Sequence, residues 1–163
     1  GFSIEGRIGY KGPMRRQGNI SRIKLDLTHD ELVVYKPECR EIYHPYSDKM
    51  IKMAIDSYCL DEILAEKLRA LMERLRPRDL YDVVHLYIDK RWSPDRKRVL
   101  TALRSKCAYK GVDVPTLALI ESKPEKEELI QEWRSMLAHQ IAPLKDFSYY
   151  WEKLPEVFRW LYS

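Results

Sequence analysis

From Leu60 onward the chain carries its most regular apolar stripe: Leu60, Ile63, Leu64, Leu68, Leu71, Met72 and Leu75 recur at the spacing of one helix face. Such a face has to be covered, which commits this part of the chain to helix packing. Lys67 interrupts the stripe, three residues after Leu64 and four before Leu71, so its stem leaves from the same face. A buried ammonium is costly unless an anion neutralises it. The next segment, Arg78-Asp79-Leu80-Tyr81-Asp82, opens a second helix behind Pro77 and offers two carboxylates. The pattern predicts a helix hairpin in which Lys67 meets Asp79 or Asp82, as a structural ion cluster or as an anion-binding active site.

The same reading extends in both directions. Ser93-Pro94-Asp95 is a start signal for a third helix through Val99, Leu100, Leu103 and Cys107, ended by Gly111. Pro115 to Glu121 reads as a short helical turn, and Lys123 to Ile141 as a periodic helix closed by Pro143. The aromatic tail, Phe147 to Tyr162, reads as one or two short helices on the bundle. Trp133, Trp151 and Trp160 are most simply core. Before Tyr58 the period changes to two. Phe2, Ile4, Ile8 and Tyr10 alternate with polar or small residues, and Ile23, Leu25 and Leu27 alternate with Lys24, Asp26 and Thr28. Val33-Val34-Tyr35 and Met53 to Tyr58 read as shorter edge strands set off by Pro37 and Pro45. A loop carrying Arg15 and Arg16 lies between the first two strands; it could touch a phosphate backbone, and a solvated loop is the simpler account.

Composition narrows the chemistry. The 163 residues have a net charge of +4, which suits an anionic partner without requiring one. No run approaches the roughly 20 apolar residues of a membrane span. Cys39, Cys59 and Cys107 are far apart with no C-x-x-C pair, and the histidines are scattered, which argues against zinc and disulfides and for a reducing compartment. Asp26 sits mid-strand on the polar side; it reads as a solvated strand residue or as a rigidly held magnesium ligand. Arg78 and Asp82 are four apart, an ordinary intrahelical pair, and Asp79 suits a helix N-terminus. His85 reads as core or helix surface.

Ile23-Lys24-Leu25-Asp26-Leu27-Thr28, then Leu64-Ala65-Glu66-Lys67-Leu68-Arg69-Ala70-Leu71, then Arg74 and Arg78-Asp79-Leu80-Tyr81-Asp82, resemble the AbiEii/AbiGii toxin family of nucleotidyltransferases, part of the DNA polymerase β-like superfamily. The similarity in order and spacing covers roughly Phe2 to Ile88, and the tail Phe158-Arg159-Trp160-Leu161 is similar to the family's C-terminal end. The resemblance implies that Asp26 is an active-site aspartate and magnesium ligand, and that Lys67 neutralises a nucleoside triphosphate. It implies nucleotide-binding roles for Arg74, Arg78 and Asp79, with Asp82 touching substrate or orienting Lys67. It further implies a cytoplasmic, magnesium-dependent transfer from an NTP to a tRNA, another RNA or a protein, and an AbiEi-type antitoxin as partner. The family's Gly-Ser opening and Asp-x-Asp metal pair do not occur in this sequence. The expectation is therefore the later portion of a longer enzyme, or a truncated relative of the family, α+β in class. Residues 1–58 would be the remaining strands, in an antiparallel or mixed sheet, and 59–163 a helical domain. The alternative is a non-catalytic module on the same scaffold that binds nucleotide, RNA or antitoxin.

Overall fold

The computed structural model describes residues 3–11, 20–28, 30–43 and 53–163. Phe2, the loop carrying Arg15 and Arg16, and Pro45 lie outside these residues. The chain divides into two compact units, Gly1–Leu32 and Val33–Ser163.

The first unit is a two-stranded antiparallel ribbon of β1 (Ser3–Tyr10) and β2 (Ser21–Thr28). Its register pairs Ile4 with Leu27, Gly6 with Leu25 and Ile8 with Ile23, so the period-two pattern collects one apolar face. The opposite face pairs Glu5 with Asp26 and Arg7 with Lys24. Asp26 thus faces away from the apolar side, as its alternation with Leu25 and Leu27 requires.

The second unit opens with a non-repetitive segment, followed by a second antiparallel pair, β3 (Glu38–Glu41) and β4 (Ala54–Ser57). The α+β class holds, but the strands form two separate sheets, and Val33-Val34-Tyr35 is not among them. The helices are α1 (Leu60–Arg74), α2 (Pro77–Ile88), α3 (Arg96–Lys110), α4 (Leu117–Glu121), α5 (Lys126–Leu137), α6 (Phe147–Trp151) and α7 (Leu154–Tyr162).

Local chemistry explains the boundaries. Asp61 and Glu62 complement the N-terminal dipole of α1. The helix ends at Leu75, held in the left-handed region at φ 44°. That conformation costs a non-glycine residue about 1–2 kcal/mol, which burial of the leucine side chain, 2% exposed, offsets. Arg76 is extended, as a residue before proline prefers, and Pro77 starts α2. Asp95 caps α3 by accepting from the backbone N–H of Lys97 and of Arg98, at 2.9 and 3.1 Å. Gly111 ends it at φ 66°.

The core is built from Leu64, Leu68 and Leu71 of α1, Leu80, Val83 and Val84 of α2, and Val99, Ala102, Leu103 and Cys107 of α3. Leu129, Trp133 and Leu137 of α5 join it, and α7 closes it with Leu154, Val157 and Leu161. Trp151 and Trp160 pack against this cluster. Helix α1 contacts α3 most extensively and α2 next.

Candidate functional site

Two of the charged pairs join α1 to α2 at their corner. Arg74, in the last turn of α1, presents Nε and Nη2 to the two oxygens of Asp79 at 2.7 and 2.9 Å. The Asp79 carboxylate is fully buried while the arginine side chain is 57% exposed. This fork-to-fork pairing uses both carboxylate oxygens, and the bond to Asp79 raises the Arg74 pKa above its usual value. Asp79 sits third in the first turn of α2, where a negative charge also meets the helix dipole.

Two turns back along α1, Lys67 Nζ lies 2.6 Å from Asp82 Oδ2. Both side chains are 32% exposed, so the pair stands at the rim of the helix hairpin. Lys67 is therefore not the buried ammonium that its place in the stripe suggested. The core side of α1 is taken by Leu64, Leu68 and Leu71, and Lys67 falls at the edge facing α2. An ion pair this exposed contributes only about 0–1 kcal/mol. Its ammonium keeps donors for a second anion, and a phosphate can approach from solvent.

Arg78 is exposed and forms no salt bridge among the described residues, so the intrahelical pair with Asp82 does not form. His85 is exposed on α2 and stacks on Tyr81, ring centroids 5.2 Å apart.

The buried lysine is a different one. Lys106 of α3 is 2% exposed, with Nζ 3.1 Å from Glu62 and 3.6 Å from Glu66. Arg69, also buried, binds Glu66 and Glu73 on its own helix at 2.5 and 2.6 Å. Burial is the largest single influence on both groups and works against each charge, but the hydrogen bonds and opposite charges around them together outweigh it: Arg69 and Lys106 lower the Glu66 pKa, and Glu66 and Glu73 raise that of Arg69. Helix α1 thus has two ionic seams: Glu62, Glu66, Arg69 and Glu73 toward α3, and Lys67 and Arg74 toward α2. The first was legible as a polar stripe at i, i+4, i+7 and i+11, and Lys106 as a charge between Leu103 and Cys107.

Asp26 belongs to the ribbon. Its carboxylate is 72% exposed, with the Lys24 ammonium 3.0 Å away; the same ammonium lies 3.0 Å from Glu5. The bond to Asp26 is the main cause that raises the Lys24 pKa. The protein's usual share of a magnesium site is one or two carboxylates working with substrate phosphates. Here the two carboxylates on this face, Asp26 and Glu5, are engaged by Lys24 and Arg7. Among the described residues no group of three or more His, Cys, Asp and Glu could hold a metal ion. The described residues do not fit a complete magnesium site.

No helix among the described residues is long and apolar enough to cross a membrane. A family model described as nucleotidyl transferase AbiEii toxin, type IV toxin–antitoxin system, matches residues 4–162. No curated protein and no solved structure matches the chain.

Proposed function

Because the chain belongs to the AbiEii family of nucleotidyl transferase toxins, we propose that it contributes the triphosphate-binding face of a magnesium-dependent nucleotidyltransferase. In this reading the enzyme moves a nucleotide from an NTP to a tRNA, another RNA or a protein acceptor, in the cytoplasm, and an AbiEi-type antitoxin restrains it.

The observation that carries the reading is the Lys67–Asp82 pair, 2.6 Å apart and one-third exposed. Nucleotidyl transfer breaks the bond between the α- and β-phosphates, and negative charge builds on the departing pyrophosphate. A fixed cation stabilises that charge most when it needs no reorganisation. Asp82 holds the Lys67 ammonium at the rim, where it can exchange one hydrogen bond for a phosphate oxygen. Arg74 and Asp79 hold the corner that sets α2 against α1, and exposed Arg78 can add a second positive charge for the nucleotide. Asp26, on the charged face of the ribbon, is the candidate to contact the attacking hydroxyl. Magnesium is the cofactor this chemistry calls for, and Asp26 could offer it one oxygen ligand.

The lack of a metal-holding cluster among the described residues favours a second reading, a nucleotide-, RNA- or antitoxin-binding module without transfer. Titration with NTP by calorimetry, followed by a transfer assay with labelled NTP and RNA, separates the two. Binding that Lys67→Met weakens at least about tenfold, the equivalent of one charge-assisted hydrogen bond, together with label transfer, supports the enzyme. Binding without transfer supports the module. NTP affinity unchanged in Lys67→Met refutes both assignments of Lys67.

A further inference from the structure

The chain enters the helical unit at Val33, and its next two residues are held in an unusual way. Val34 and Tyr35 donate their backbone N–H groups to the Glu62 carboxylate, one to each oxygen, at 2.8 and 2.9 Å. Glu62 is fully buried, and the Lys106 ammonium lies 3.1 Å from its Oε1, the oxygen that also accepts from Val34. Lys106 also sits over the Tyr58 ring, 5.0 Å from its centroid. The Tyr35 side chain is gripped separately: its hydroxyl donates to the Arg98 carbonyl at 2.9 Å, and the Arg98 guanidinium covers its ring at 4.2 Å. Arg98 is itself fixed by Asp61 at 2.8 Å.

Two buried charges are a poor way to gain stability, since well-packed apolar residues of similar volume do as well. What a buried carboxylate does better is accept two parallel N–H groups of a segment outside any sheet ladder, which fixes that segment in place. Residues 34 and 35 are such a segment, and they follow directly on the boundary between the two units. We propose that Glu62, neutralised by Lys106, is a positioning residue that anchors Val34 and Tyr35 and so fixes the segment with which the chain enters the helical unit. Its consequence for transfer rests on the function proposed above; the anchoring itself does not.

Hydrogen exchange and kinetics test the two parts separately. In Glu62→Gln the carboxamide places a donor where one acceptor stood. Protection of the Val34 and Tyr35 amides should fall by more than about tenfold, the worth of a hydrogen bond to a charged group, while the Leu68 and Leu71 amides exchange as before. Should Glu62→Gln not fold, Glu62→Gln/Lys106→Met also removes the cation that neutralised Glu62 and carries the same measurement. Unchanged exchange at Val34 and Tyr35, or equal loss of protection at Leu68 and Leu71, overturns the anchor. In the transfer assay an anchor lowers kcat in Glu62→Gln and leaves the KM for NTP as it was; a rise in KM with kcat intact overturns the positioning role. If wild-type protein shows no transfer, the nucleotidyltransferase reading fails and the exchange result still decides the anchor.

Discussion

Replacing Arg74 with alanine isolates the part of the site that holds geometry. Arg74 supplies both hydrogen bonds to a carboxylate that is fully buried, so its removal strands Asp79 in the core of the helix corner. Removing one partner of a buried pair costs about 3–5 kcal/mol. The low end applies, because the arginine is more than half exposed and the α2 N-terminus partly compensates the charge. A loss of about 3 kcal/mol in a chain of this length lowers the melting temperature by roughly 6–12 °C. The double variant Arg74→Met/Asp79→Leu removes the stranded charge and should recover most of that loss. Calorimetry of Arg74→Met, Asp79→Leu and the double variant closes the cycle. A shift of no more than about 4 °C in Arg74→Ala, as an exposed pair of about 0–1 kcal/mol would give, refutes the clamp. So would a double variant as unstable as the singles.

Lys67→Ala should abolish transfer in the complete enzyme while the melting temperature moves by no more than a few degrees, because its pair is solvent-exposed; retained activity removes Lys67 from the mechanism. Burial pushes the Cys107 thiol up to about 11, so iodoacetamide at pH 8 should label exposed Cys39 and spare buried Cys107 until denaturant is added, as peptide mass spectrometry would show. The Arg91 side chain, and then its backbone N–H, depress the Asp89 pKa to about 2 from 3.8. A depressed carboxylate stabilises the fold above its unfolded pKa, so this contribution is present above about pH 4 and fades as pH falls toward 2. Carboxyl NMR titration should show the Asp89 midpoint returning toward 3.8 in Arg91→Ala.

Much of the helical half was legible because its punctuation is local. Pro77 after Arg76, the Asp95 cap and Gly111 place the ends of α1, α2 and α3 without reference to the rest of the fold. The hairpin also delivers Lys67 to Asp82, as the short Arg76-Pro77 connection suggested. What local pattern could not decide was which lysine is buried. Lys67 and Lys106 both interrupt apolar stripes, and only the docking of α3 on α1 settles that Lys106 goes inside. Val33-Val34-Tyr35 looked like a strand because β-branched and aromatic residues favour extended backbone. The segment does not pair with a strand, since its N–H groups go to a glutamate more than two dozen residues later in the chain. Such a partner leaves no periodic trace. Glu38–Glu41, by contrast, is a strand made of mostly charged residues, which propensity alone would pass over.

Among the described residues all buried apolar ones lie from Cys59 onward, and the described strands of the ribbon, with Ile4, Ile8, Ile23 and Leu27 each more than half exposed, enclose no interior of their own. A two-stranded ribbon of this kind is marginal in water. Heat capacity and circular dichroism will therefore register the melting of the helical body and little else. For Lys67 an unchanged melting curve is a sound control that the surroundings survive. For Asp26 the same curve is silent, because the strands around it could come apart without shifting the transition. Loss of function at Asp26 can be read as chemistry only alongside a probe that sees the ribbon directly, such as the exchange rate of a cross-strand amide between β1 and β2.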